Sequence, residues 1–159
     1  MASINHFEDL EVWKKARMFS KKIYVLTSRG TFAKDFALKD QINRSTGSVM
    51  DNIAEGFERG GNKEFVMFLS YAKGSAGEVK SQLYRAVDRE HIDETTFKQF
   101  IDEYETIGKM LGRLMSYLQT SNFRGPKFHE PKVLYKNLGD ADLEFDIDHE
   151  SRSTGNAEP

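Results

Sequence analysis

The chain has 159 residues, no cysteine and a formal net charge of -2. That length suits one domain with room for a real core, and the missing thiols exclude disulfides, thiolate metal sites and a Cys nucleophile. The charge is uneven: residues 1–124 carry 19 Lys and Arg against 17 Asp and Glu, and residues 125–159 carry 4 against 8. A mildly basic body therefore precedes an acidic tail.

No basic segment followed by an apolar one opens the chain, so no signal peptide is expected. The longest apolar run, "FVMFL" at 65–69, is far short of the roughly 20 residues of a spanning helix. The reading is a soluble, cytoplasmic protein. Pro126, Pro131 and Pro159 are the only prolines, so the first 125 residues hold no obligate helix breaker.

Four segments show helical period. The first is expected from about Asp9 to Ser28, with Val12, Ala16, Phe19, Ile23 and Leu26 as its stripe and Gly30 closing it. The second is expected from about Asp35 to Gly56, on Leu38, Ile42, Thr46, Val49 and Ile53. The third starts after Asn62, a good capping residue, and runs to about Glu90 on Phe65, Phe68, Ala72, Ala76, Val79, Leu83 and Ala86. The fourth is expected from about Asp93 to Gln119, on Phe97, Ile101, Tyr104, Ile107, Leu111, Leu114 and Leu118. Four long amphipathic helices with short joins predict an all-α, antiparallel up-and-down four-helix bundle over residues 1–124. Residues 125–159 are expected as an acidic, partly disordered extension, whose "FHEPKVLYKNL" stretch docks on the bundle.

The stretch "NIAEGFERGG" at 52–61 resembles a phosphate loop at first sight. It fails the G-x-x-x-x-G-K-[ST] spacing and follows a helix rather than a strand. It is expected to be a join: Gly56 ends or loosens the second helix, Phe57 folds back on the core, Gly60 and Gly61 supply positive φ, and Asn62 caps the third helix.

The outward faces carry the functional signals. At 100° per residue, Gln41, Arg44, Ser48, Asn52 and Glu55 span roughly 80° and are expected opposite the apolar stripe. Ser70, Gly74, Gly77 and Ser81 span about 60° on the third helix. Two glycines inside a helix cost about 1 kcal/mol each relative to alanine, which something must offset. A neighbouring segment of the same chain, a subunit interface or a ligand groove each fits. Gly108 and Gly112 are a second small pair. On the first helix Lys14, Lys15, Arg17, Lys21 and Lys22 lie away from the stripe with no acid among them. Such a row suits phosphate backbones or a solvated face, and Arg44 is a weaker candidate contact.

Enzyme chemistry has little support. His6, His91, His129 and His149 form no HxxxH or HExxH pair, and no G-x-S-x-G elbow occurs. No catalytic, cofactor or metal site is assigned.

The stretches "FEDLEVWKKARMFSKKIYVLT" (7–27) and "QINRSTGSVMDNIAEGFERGGNKEFVMFLSYAKGSAGEV" (41–79) resemble a bacterial four-helix-bundle family whose genes were noted inside intervening sequences of 23S ribosomal RNA. The polar row with Gly56 and Phe57 matches one family motif, and "FLSYAKGSAGEV" matches a second. The likeness spans about residues 7–120. The family often has a proline after the first helix and a basic patch after the arginine; here those joins read "GTFAKDFALKD" and "STGS". The resemblance implies a ring-shaped homopentamer. A related group of retroelement accessory proteins binds nucleic acid through basic surfaces. It carries over neither active site nor cofactor.

The leading expectation is a non-enzymatic homo-oligomer that binds RNA or DNA, or a protein handling them, with no membrane and no small-molecule substrate. The polar and small-residue rows would form its subunit interface. The alternative is a protein-interaction scaffold with no nucleic-acid role.

Overall fold

The computed structural model describes residues 4–121, 130–131 and 133–138. With no proline before residue 126 to interrupt them, the four periodic segments form continuous helices: α1 (Glu11–Thr27), α2 (Phe36–Glu58), α3 (Asn62–Asp88) and α4 (Glu94–Thr120). Each turns its predicted stripe to the core, with the observed ends within two residues of expectation; Leu26 of α1 and Phe97, Ile101 and Tyr104 of α4 are only half-buried. Val12, Ala16, Phe19 and Ile23 of α1 meet Leu38, Ile42, Val49 and Ile53 of α2 and Leu69, Ala72, Ala76, Val79 and Leu83 of α3 in one core. Met110, Leu111, Leu114 and Leu118 of α4 complete it. Each fully buried large apolar side chain contributes about 1.5–3 kcal/mol, so this stripe is the main source of stability.

The helices run antiparallel in chain order, and α1 closes the bundle against α4. Early α2 faces late α3 through Gln41 and Arg85. Late α3 faces the middle of α4 through Lys80 and Glu105. Among the described residues there is no strand element, and no helix is long and apolar enough to cross a membrane.

The helix ends explain the joins. Asp35 caps α2, its Oδ1 accepting from the Leu38 N–H, and Asp93 caps α4 by accepting from Thr96 N–H at 2.7 Å. The α2–α3 join departs from expectation in three ways. Gly56 does not end α2, which continues to Glu58; it lies buried where α3 crosses. Only Gly60 has a positive φ, +74°, whereas Gly61 is extended at −108°. Gly61, not Asn62, takes the cap position of α3. The Asn62 amide is turned instead toward the last turn of α4, 3.4 Å from the Leu118 carbonyl. Phe57 does fold back, edge-on to Phe65.

The described part of the C-terminal stretch docks at the start of α1. Tyr135 is buried, and its hydroxyl donates to Glu130 at 2.6 Å. The other Glu130 oxygen accepts from the Glu11 N–H, serving an α1 terminus that has no side-chain cap of its own. Burial pushes the Glu130 carboxyl above its ordinary range because the charged form loses hydration. Arg113 of α4 clamps the same stretch, donating to the Leu134 and Lys136 carbonyls. The expectation of a loosely attached tail concerns residues 139–159, which lie outside the described residues.

Candidate interaction surfaces

The polar row of α2 lies on a flank rather than opposite the core. Ser48 and Asn52 are half-buried at the α2–α3 seam. Ser48 Oγ shares a 2.9 Å hydrogen bond with Ser75, and the Asn52 amide donates back to the Ser48 carbonyl. Gln41 accepts from Arg85 at 2.8 Å. Between them, buried Ser45 accepts from Gln82 at 3.0 Å and donates to Glu78. The Gln82 carbonyl oxygen is buried with no partner among the described residues. Thus Gln41, Ser48 and Asn52 are engaged within the chain, which corrects the placement of the whole row on an outward face. Arg44 and Glu55 at its ends point outward, paired with Asp40 and Arg59 across one helical turn. Such exposed pairs contribute only a few tenths of a kcal/mol each.

The small row of α3 is different. Ser70, Gly74, Gly77 and Ser81 are all exposed. A methyl group built on Gly74 or Gly77 would meet nothing within 4 Å, and Gly108 and Gly112 are equally open. Among the described residues, no segment of the same chain covers the row. Exposed Met67 and Tyr71 lie on this side of α3.

The basic residues of α1 divide into two groups. Lys14 pairs with Glu11 at 2.8 Å and Lys22 with Glu103 of α4 at 2.9 Å. The absence of acids within the row itself therefore overstated its free charge. Lys15 is half-buried and engaged. Arg17 lies over the Trp13 ring at 5.8 Å. Lys21 and, just past the helix, Arg29 are exposed and have no acidic partner among the described residues. Tyr24, 64% exposed, stands on the same outer side. Arg29 lies outside the basic row expected from the sequence; its two-turn spacing from Lys22 is the signal that places it near that row.

At the end of the bundle, five residues lock the joins together. His91 Nε2 is 3.0 Å from Asp35 Oδ2, and its Nδ1 is 2.9 Å from Thr31 Oγ1. Arg89 donates to the same Asp35 oxygen at 2.7 Å, and Phe32 stacks on the imidazole. The Thr–His–Asp order resembles a nucleophile relay, but the Asp35 carboxylate is shared among a helix cap, a guanidinium and the imidazole. Its contacts tie α2 to the α3–α4 join. The His91 and Arg89 hydrogen bonds hold the Asp35 carboxyl far below its ordinary value of 3.8. A carboxylate with a depressed folded pKa stabilises the fold above its unfolded value, and that stability is lost as pH falls. Unfolding followed by circular dichroism should therefore show stability declining below about pH 4. In Asp35→Asn, which keeps a capping oxygen, that acid limb should be shallower.

A family model described as 23S rRNA-intervening sequence protein matches residues 8–113. No curated protein and no solved structure matches the chain.

Proposed function

The chain belongs to the 23S rRNA-intervening sequence protein family, and we propose that it is a non-enzymatic, ring-shaped homo-oligomer that holds RNA or DNA backbones on the outer side of α1. The homopentamer is the form that the resemblance implies. Self-association runs through the open row of Ser70, Gly74, Gly77 and Ser81. Small residues there let a second backbone approach, which offsets the cost of two glycines inside a helix.

The observation that carries nucleic-acid contact is the group Arg17, Lys21 and Arg29, whose side chains have no acidic partner among the described residues, beside exposed Tyr24. Cations free of carboxylates can neutralise phosphates and release counterions, and an exposed aromatic ring offers a stacking face. Repetition around a ring strengthens the field.

Fluorescence anisotropy with a generic single-stranded RNA tests this reading. Reversing Arg17, Lys21 and Arg29 to Glu should weaken low-salt binding about a thousandfold or more, since each of three charge-assisted hydrogen bonds contributes about 1.5 kcal/mol or more. Lys14→Gln and Lys22→Gln, whose ammonium groups are already paired, should cost less. Equal binding by the triple variant removes the reading. The pairing of Lys14 and Lys22 favours a second one, a protein-interaction scaffold with no nucleic-acid role, and that outcome would select it.

A further inference from the structure

An open groove of about 520 Å³ runs beside the C-terminal half of α1. Met18, Val25 and Leu26 of α1 and Phe100 of α4 give it an apolar lining, and Lys21 and Arg29 rim it. Lys22 also lines it, its ammonium held by Glu103. The groove therefore suits an extended segment with one apolar face and one acidic face.

The sequence contains such a segment. Residues 140–150 read "DADLEFDIDHE": Asp or Glu stands at every even position, and Ala141, Leu143, Phe145 and Ile147 stand between them. In an extended chain successive side chains point to opposite sides, so this alternation separates six carboxylates from an apolar edge. The described chain also ends on the same side of the bundle as the groove. Arg113 of α4 holds the Lys136 carbonyl at 2.8 Å, and Lys22 of α1 faces Glu103 of α4. Arg113 is ten residues beyond Glu103, about 15 Å along α4. The docked stretch thus lies along the α1–α4 side, roughly three turns from the groove. Residues 139–147, extended, span about 30 Å, enough to reach it.

We propose that residues 140–150 lie along the α1–α4 seam of their own chain, with Leu143, Phe145 and Ile147 in this groove and their carboxylates beside Lys21 and Arg29. Tethering to the docked stretch raises the effective concentration to the millimolar range, so weak contacts suffice. The segment would then cover two of the three cations offered to nucleic acid, although the docking itself does not depend on nucleic-acid binding.

The chain has no cysteine, so His149→Cys gives the full-length protein a single site for a nitroxide spin label. Among the amides of the bundle, paramagnetic broadening in the labelled, isotope-enriched protein should be strongest at residues 18–30, around His91 and at the start of α4, which line the groove. That bundle broadening should vanish in the labelled Leu143→Ser/Phe145→Ser/Ile147→Ser variant while the bundle's amide shifts are unchanged. Broadening that is absent or evenly spread overturns the proposal. So does broadening in enriched, unlabelled protein mixed with labelled, unenriched protein, which would place the segment on another copy. No nucleic acid enters the experiment, so its failure leaves the RNA-binding reading standing on its own test.

Discussion

Gly56→Ala should lower the stability of the bundle by about 1–2 kcal/mol, the cost of overpacking less the gain in helix propensity. A Cβ at residue 56 would sit 2.7 Å from the Phe68 Cβ and 2.9 Å from Phe65 Cδ2, with the Phe65 Cα at 3.4 Å. The Phe68 Cβ is fixed to the backbone and cannot rotate aside, so α2 and α3 must separate. The seam they share holds the Ser48–Ser75 and Gln41–Arg85 hydrogen bonds, so displacement there disturbs more than one contact. Gly47, in the same helix, provides the control. A Cβ there meets nothing within 4 Å, and Gly47→Ala should stabilise the folded chain by about 1 kcal/mol. Urea unfolding of the two variants should thus move the midpoint in opposite directions. Equal shifts would show that the α2–α3 crossing does not require glycine.

Gly74→Leu and Gly77→Leu should each reduce the solution mass toward the 18.3 kDa of one protomer while helicity is kept. Within one chain a Cβ added at either position meets no described atom within 4 Å, both positions are exposed, and leucine is a better helix former than glycine by roughly 0.8 kcal/mol. The protomer therefore has no reason to unfold. Between two chains packed on this row, a leucine would hold the backbones apart and forfeit their close contacts. Light scattering with parallel circular dichroism reads both effects. An unchanged mass would exclude this row as the assembly interface.

Most of the fold was legible because its information is local. The apolar stripes of α1 and α2 repeat within single helices, and Asp35 and Asp93, where α2 and α4 are expected to begin, prove to be their caps. What the sequence hid depends on residues far apart. Gly56 resembles a helix terminator until Phe65 and Phe68 are seen against it. Lys22 resembles a free cation, yet its partner Glu103 lies 81 residues away. The α2 polar row was placed opposite the core because a helical wheel does not show where the neighbouring helix stands. Ser75 and Arg85 of α3 decide that. The small row of α3 was visible as a pattern, but its openness could only be read from the packed bundle. The Asp35–His91–Arg89 lock joins two separate loops and left no local signature.

The central claim is that α1 carries a phosphate-binding face, and the salt dependence of RNA binding tests it most directly. Anisotropy titrations should use the wild type and a full-length variant with Asp140, Asp142, Asp146 and Asp148 changed to Asn and Glu144 to Gln. Three phosphate contacts on a single strand predict a slope of log K against log salt of about −2 per protomer. Each of Arg17, Lys21 and Arg29 reversed to Glu should reduce that slope by about 1 or somewhat less. Absence of low-salt binding by both proteins, or a slope that survives all three reversals, would contradict the account.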